Sequence, residues 1–454
     1  MGPTEKGLKM QRKIEQTILQ WLASKAPEPL LIKGARRVGK TYIATEFLRS
    51  QIGGGNHVYL DFQTDLAQLS LLFEGRTSAD RLVADIESYT GKTIVPEKSV
   101  IVFDEVQLCE KALNSLRFFA QSPFRVLATG SLLGVTLQKG DANATAERAL
   151  PFPSDVRHVT MHPMDFEEFL WALGQEPLAQ GIRRCYEDAT PFFLHEEALA
   201  LYRTYLVVGG MPKAVGRYAS TKELQPVREV QSEINETYIS DMPSAQAALC
   251  KSIWNSIPSQ LARESTRKFK YGDVVKGGRA KQFAEPLGWM EAAGIIKLNP
   301  QTNSTSAPLV ARKGGAFFKA YMGDTGLMFY KFGLSPDALL NPATYGSLSD
   351  SFRGALAENY VMQALTANGL SSFYWTPGDS SGEVEFVMNT PDGSVLPIEV
   401  KSGQNVRSIS LRTYMRKSGC PLGIRISTRQ FGLEGELKSI PLYAAFCIGE
   451  RTSG

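Results

Sequence analysis

The chain has 454 residues, a formal net charge of +4, and 43% hydrophobic and 21% charged residues, the balance of a globular protein. It is too long for one core, and a usual domain size of about 150 residues predicts three domains. Five scattered cysteines without a C-x-x-C pair, and four histidines without an H-E-x-x-H pair, point to neither a disulfide framework nor a zinc site. No apolar run is long enough to span a bilayer, and the basic N-terminal residues lead into no apolar signal core. The expectation is a reducing, cytoplasmic compartment and no membrane partner.

Met10, Ile14, Ile18, Trp21 and Leu22 recur at helical spacing and predict an N-terminal helix with one packing face in residues 1–24. Leu30–Ile32 is a short apolar run, Gly34–Thr41 follows as GARRVGKT, and a helical pattern begins at about Lys40. Strand, loop and helix in that order, with the spacing G-x-x-x-x-G-K-T, predict a P-loop. Glycine lets backbone N–H groups close around phosphate oxygens, and the helix turns its positive end toward the anion. The candidate nucleotide-binding set is therefore Gly34, Ala35, Arg36, Arg37, Val38, Gly39, Lys40 and Thr41. In this scheme Lys40 reaches the β- and γ-phosphates and the Thr41 hydroxyl ligates Mg²⁺. Arg36 and Arg37 either contact phosphate or face solvent. ATP and Mg²⁺ are the expected cofactors.

His57–Phe62 reads as a strand and Ala79–Thr90 as a helix ended by Gly91. In Ser99–Gln107, SVIVFDEVQ, four consecutive apolar residues fit a strand buried on both faces, as a parallel sheet requires. Two carboxylates emerge at its C-terminal end, where open α/β sheets bind ligands. Asp104 is suited to the Mg²⁺ shell and Glu105 to polarising an attacking water. A further strand, Phe124–Ala128, runs into Thr129-Gly130-Ser131. Thr129 either senses the γ-phosphate or makes a plain strand-to-loop turn. Residues 25–160 thus read as an ATPase core.

Asp165 is placed to N-cap a helix over FEEFLWAL, with Glu168 completing a capping box. Helical patterns recur from Leu194 to Val208, Gly209-Gly210-Met211 breaks them, and Pro212 opens the next helix. Residues 161–245 are a helical lid or a rigid spacer. Helices over Ile253–Ala262, Tyr271–Lys276 and Arg279–Ala293, then strands over Gly294–Leu298 and Ser306–Arg312, follow the winged helix-turn-helix plan across residues 246–315. Arg263, Arg267, Lys268, Lys270, Lys276, Arg279 and Lys281 face only Glu264 and Asp273, a local excess larger than the chain's net +4. Such concentration suits contact with the backbone of double-stranded DNA; the alternatives are a solvated basic face or a winged helix used for protein contact.

In residues 320–454, Phe352–Asn368 reads as a helix carrying Glu358, and strands are predicted over Phe373–Thr376, Glu383–Met388, Val395–Lys401 and Leu422–Ser427. The period of two puts Glu399 and Lys401 on one face of their strand. With Glu385 and Glu358 they would form a cluster able to hold a Mg²⁺ that activates water.

GARRVGKT, VIVFDEVQ, LATGSLLG, HPMDFEEFL, VVGGMPKAV, YMGDTGL and IEVKS, in this order, resemble a family of prokaryotic AAA-type P-loop ATPases with a nuclease-like C-terminal part. The resemblance implies an α/β multidomain protein: a P-loop NTPase parallel-sheet core, a helical lid, a winged helix and a restriction-nuclease-like α/β domain. It also implies an arginine supplied by a neighbouring subunit of a homo-oligomer, for which Arg148 and Arg157 are candidates. Glu385 with Glu399-Val400-Lys401 is similar to the PD-(D/E)xK nuclease pattern, but glutamate replaces the aspartate and moves the carboxylate by about 1.5 Å. The expected function is slow, Mg²⁺-dependent ATP hydrolysis coupled to DNA binding or processing. The alternative is a nucleotide-gated interaction switch with an inactive nuclease-like domain.

Overall fold

Leu30–Lys33 (β1), His57–Asp61 (β2), Val100–Asp104 (β3), Arg125–Gly130 (β4) and Arg157–Thr160 (β5) form an all-parallel sheet in the order β2-β3-β4-β1-β5. Every residue of β3 and β4 is buried, as expected of central strands covered on both faces. Helices Leu66–Leu72, Ala79–Thr90 and Glu110–Phe119 contribute to one apolar cluster with these strands, in which Phe62, Phe73 and Phe119 pack around Phe103. The order places β4 between the P-loop strand β1 and the acidic strand β3, so the end of β4 stands between the two halves of the site.

The computed structural model describes residues 10–25, 28–75, 78–131, 155–264, 267–377, 382–403 and 408–449. These divide into two units, one made of Gln11–His162 with Ala292–Gly294, the other of the remaining described residues. Among the described residues no helix is long and apolar enough to cross a membrane.

The second unit opens with the helix Phe166–Ala172, where Asp165 and Glu168 form the expected capping box. Four longer helices follow, Glu176–Asp188, His195–Val208, Pro212–Thr221 and Gln225–Ser240. Two sequence motifs meet here at close range. Asp324 caps the helix Thr325–Lys331 by accepting from Leu327 N at 2.9 Å, and also accepts from Gly210 N at 2.6 Å. A Cβ on Gly210 would lie 2.0 Å from Met164 O, which only glycine avoids.

Helices Ala247–Leu261, Tyr271–Val274 and Ala280–Ala292 precede an antiparallel pair, Ile296–Thr302 (β6) and Lys313–Met322 (β7). The second strand was expected over Ser306–Arg312; Leu309–Arg312 is instead a 3-10 turn, and the strand begins at Lys313. The pair is not a separate wing. β6 also pairs in parallel with Phe373–Trp375 (β8), which joins Val384–Asn389 (β9), Val395–Val400 (β10), Gly423–Ser427 (β11), Gly432–Glu434 (β12) and Leu437–Pro441 (β13). The result is one eight-stranded sheet, β12-β13-β11-β10-β9-β8-β6-β7. The expected boundary between residues 315 and 320 falls inside β7. Periodicity marks where a strand lies and not what its free edge pairs with, and the open edge of β6 is satisfied by β8.

Candidate nucleotide site and C-terminal charge cluster

The P-loop leaves β1 at Gly34, where a Cβ would meet Met161 O at 2.2 Å and Val38 Cγ2 at 3.4 Å. Arg37 (φ +68°) and Gly39 (φ +101°) have left-handed backbone, the turn that brings the chain into the helix starting at Lys40. For Arg37, which is exposed, that conformation costs about 1–2 kcal/mol. The helix is α over Lys40–Tyr42, widens to a π segment over Ile43–Phe47 and resumes over Leu48–Ile52. Thr41 is exposed on its first turn, while Ala35 and Val38 are buried.

Lys40 is buried, and its ammonium donates to the carbonyls of Gly34 (3.0 Å) and Ala35 (2.9 Å). Burial lowers its pKa to about 8, with Arg36 acting in the same direction; the charges of Glu105 and Asp104 oppose the shift. Lys40 and the acidic tip of β3 therefore share one electrostatic environment. A polyanion in the loop would restore the lysine's charge. Binding of Mg–ATP is accordingly expected to take up about half a proton at pH 8 and almost none at pH 6.5. Calorimetry in buffers of different ionisation enthalpy reads this directly, and equal uptake at both pH values would contradict it.

Asp104 is buried at the end of β3 and accepts from two hydroxyls, Tyr59 on β2 at 2.7 Å and Thr129 on β4. The Thr129 hydroxyl also accepts from the Glu105 N–H at 3.2 Å, so it ties the two acidic residues together from inside the tip. Glu105 has left-handed backbone (φ +55°), a conformation that accumulates at functional sites. Its carboxylate accepts from the side chains of Ser131 and Gln107 and from Ser131 N at 3.3 Å. Burial works against its ionisation, yet Lys40 and these bonds outweigh burial and hold the carboxyl below its ordinary range.

Four contributors escaped the sequence reading: Tyr59, Gln107, Ser131 and Arg12. Tyr59 had a signal: on β2 it shares a face with Asp61, whose register partner is Asp104. Gln107 and Ser131 lie within segments already singled out. Arg12 had none, because its contacts are distant in sequence: it is buried and donates to Val38 O at 2.8 Å and to His162 O at 2.7 Å. Of the two candidate arginines for a neighbouring subunit's site, Arg157 is exposed on β5 and Arg148 lies outside the described residues.

In the second unit Glu385 on β9, Glu399 on β10 and Lys401 come together: the lysine ammonium is 3.9 Å from Glu385 and 3.4 Å from Glu399. Glu385 also accepts from Val400 N at 3.1 Å. Burial raises the Glu385 pKa against the pull of Lys401 and Lys319, while burial of Lys401 is outweighed by both glutamates, which raise its pKa. Glu358, expected in the same cluster, is linked to it through cations: Lys319, which acts on Glu385, and Arg267, which acts on Lys401, are both its partners. It pairs with Arg267 and with fully buried Lys319 at 3.2 Å, and accepts from Tyr321 at 3.2 Å; Lys319 also pairs with Glu383. Among the described residues no three histidine, cysteine or carboxylate side chains are grouped to hold a metal ion. The cluster is a set of carboxylates balanced by cations, and no metal-dependent step is derived from it.

Strand, glycine loop, helix and acidic strand tip, set across one intervening strand, define a P-loop NTPase core. Residues 26–170 match the AAA domain family, which supports a P-loop core of the AAA type in this segment. Residues 199–338 and 353–444 match two domains of unknown function, DUF8612 and DUF4143. No curated protein matches the chain. Among solved structures it is similar to a Walker-type ATPase of Pyrococcus abyssi, at 14% identity and a TM-score of 0.41, covering 71% of this chain and 96% of that one. It is also similar to PCH-2 of C. elegans, at 17% identity and a TM-score of 0.28, covering 49% of this chain and 69% of that one. Similarities of this size define no common architecture for the whole chain.

Proposed function

We propose that this protein binds ATP with Mg²⁺ at Gly34–Thr41 and hydrolyses it slowly, using the nucleotide to control contact with double-stranded DNA. The observation that carries the reading is geometric: the Gly34–Lys40 loop after β1 and the Asp104–Glu105 tip after β3 lie at the same end of one parallel sheet, on either side of Thr129 on β4, which bonds to both acidic residues. The residues fit the cofactor. Loop amides and Lys40 suit the phosphates, and the Thr41 hydroxyl and the Asp104 carboxylate are hard oxygen donors of the kind Mg²⁺ takes alongside phosphate and water. When bound, the metal neutralises charge developing on the phosphate oxygens. Glu105, ionised and fixed by Ser131 and Gln107, accepts a proton from the attacking water, and Thr129 ties the Asp104 carboxylate to the Glu105 backbone N–H. Lys40 exchanges its two carbonyl partners for phosphate oxygens. Calorimetry with Mg–ATP tests the binding reading: heat lost in Lys40→Ala supports it, and no heat from folded wild type removes it.

For the partner, the supporting observation is a basic surface reduced from its sequence count. Arg263 pairs with Asp273 and Arg267 is taken by Glu358, but Lys270, Lys276, Arg279 and Lys281 are exposed. Four phosphate contacts would give duplex affinity a salt exponent of roughly −4. Titration between 50 and 200 mM salt should therefore weaken binding by about two orders of magnitude, and affinity indifferent to salt would discard DNA as the partner.

The nuclease-like part is read as a docking domain that does not cut. Its three central side chains, Glu385, Glu399 and Lys401, are paired among themselves. Incubation with duplex DNA and Mg²⁺ or Mn²⁺ should leave the DNA intact; cleavage that disappears in Lys401→Ala would overturn this. The protein works as a homo-oligomer in which a neighbouring subunit supplies an arginine to the γ-phosphate, and Arg157, exposed on β5, is the candidate.

A further inference from the structure

We propose that Arg12, outside every motif, is a positioning residue of the nucleotide site that sets the direction of one phosphate-binding amide. The inference rests on the nucleotide reading above. A trans peptide is planar, so its C=O and N–H point to opposite sides. The Val38 carbonyl accepts from Arg12 Nη1 at 2.8 Å, and the N–H of the same peptide plane is that of Gly39. Holding the carbonyl toward Arg12 therefore holds the Gly39 N–H away from it. Gly39 needs such a restraint: its left-handed backbone (φ +101°) is one that glycine exchanges freely with others, so its own sterics do not fix the plane.

The anchor is itself rigid. Arg12 is buried, 6% exposed, and its second nitrogen Nη2 donates at 2.7 Å to His162 O, just beyond β5. The same segment braces the start of the loop. Met161 N donates to Lys33 O at 2.7 Å, and the Met161 carbonyl fills the place a Cβ on Gly34 would take. The loop is thus held at its entrance by Met161 and near its exit by Arg12, both fixed to the chain after β5. A planar guanidinium spans two carbonyls at once, and a lysine ammonium in the same place serves one of them less rigidly.

The test measures dissociation constants of Mg–ATP and Mg–ADP for wild type, Arg12→Lys and Arg12→Gln by calorimetry, with thermal unfolding of each protein without and with nucleotide. Loss of one charge-assisted restraint predicts affinity weakened about 10- to 100-fold for Arg12→Gln. Both nucleotides should lose by the same factor, since a loop amide meets phosphates they share, and Arg12→Lys should lose less. Variants that unfold earlier yet bind both nucleotides as wild type does would make Arg12 merely structural and overturn the inference. Should Arg12→Gln fail to fold, Arg12→Lys decides by the same comparison. Wild type that binds no nucleotide sinks the reading beneath this inference, an outcome distinct from wild type and variants binding alike.

Discussion

Glu105→Gln should bind Mg–ATP at least as tightly as wild type and turn it over about 10²- to 10⁴-fold more slowly, the span usual for loss of a general base. The substitution preserves volume and the reach to Ser131 and Gln107, so it changes charge and basicity while disturbing little else. Lys40 keeps Asp104 as an opposing charge, which preserves phosphate affinity. The Glu105 carboxyl is held below its ordinary range because Lys40 and three hydrogen bonds outweigh burial. It therefore stays ionised across the neutral range, and turnover should not decline as pH is lowered from 8 toward 6. Above pH 8 Lys40 loses its proton in the nucleotide-free protein, and the Michaelis constant should rise while the turnover number at saturation holds. Steady-state and single-turnover assays on both proteins read all of this. Equal turnover by wild type and Glu105→Gln would assign the base elsewhere.

Lys319→Met should cost about 3–5 kcal/mol of stability in the unit that contains it, the usual penalty for removing one member of a buried charged set. Lys319 is fully buried, 3.2 Å from Glu358 and paired with Glu383, and its ammonium lies 5.3 Å from the centre of the Tyr374 ring. Methionine fills nearly the same space but leaves Glu383 without this cation and Glu358, among the described residues, with Arg267 and Tyr321. The double variant Lys319→Met with Glu358→Leu removes a charge of each sign and should be less unstable than the two single variants summed. That coupling is what separates a charge network from a general packing defect. Denaturant unfolding followed in the second unit measures it, and additive losses, or a Lys319→Met midpoint equal to wild type, would remove the network's role. Nucleotide binding in the other unit should be unchanged.

The basic segment illustrates how pairing revises a count. Seven cations between Arg263 and Lys281 make a strong local excess, yet Arg267 spends its charge on Glu358 far along the chain. A DNA surface drawn from the sequence alone is therefore too strong. Thr129 shows the same thing in reverse: a residue read as a sensor or a turn is engaged by Asp104 and by the Glu105 N–H.

What the sequence determined by itself was whatever depends on neighbours close along the chain. The P-loop needs glycine at fixed spacing for backbone reasons, the strand before Asp104 needs an unbroken apolar run, and the Asp165 capping box needs Glu168 three residues on. Each is local, so each was legible. The tertiary structure decided everything that joins distant segments. Arg12 reaches Val38 and His162, β6 pairs with β8 instead of standing alone as a wing, and Glu358 takes Lys319 and Arg267 as its partners. A hydrogen-bonding edge and a buried charge each demand a partner, and one sequence leaves that partner's identity open. Only the path of the folded chain, which fixes the segments that lie within a few ångströms, selects it.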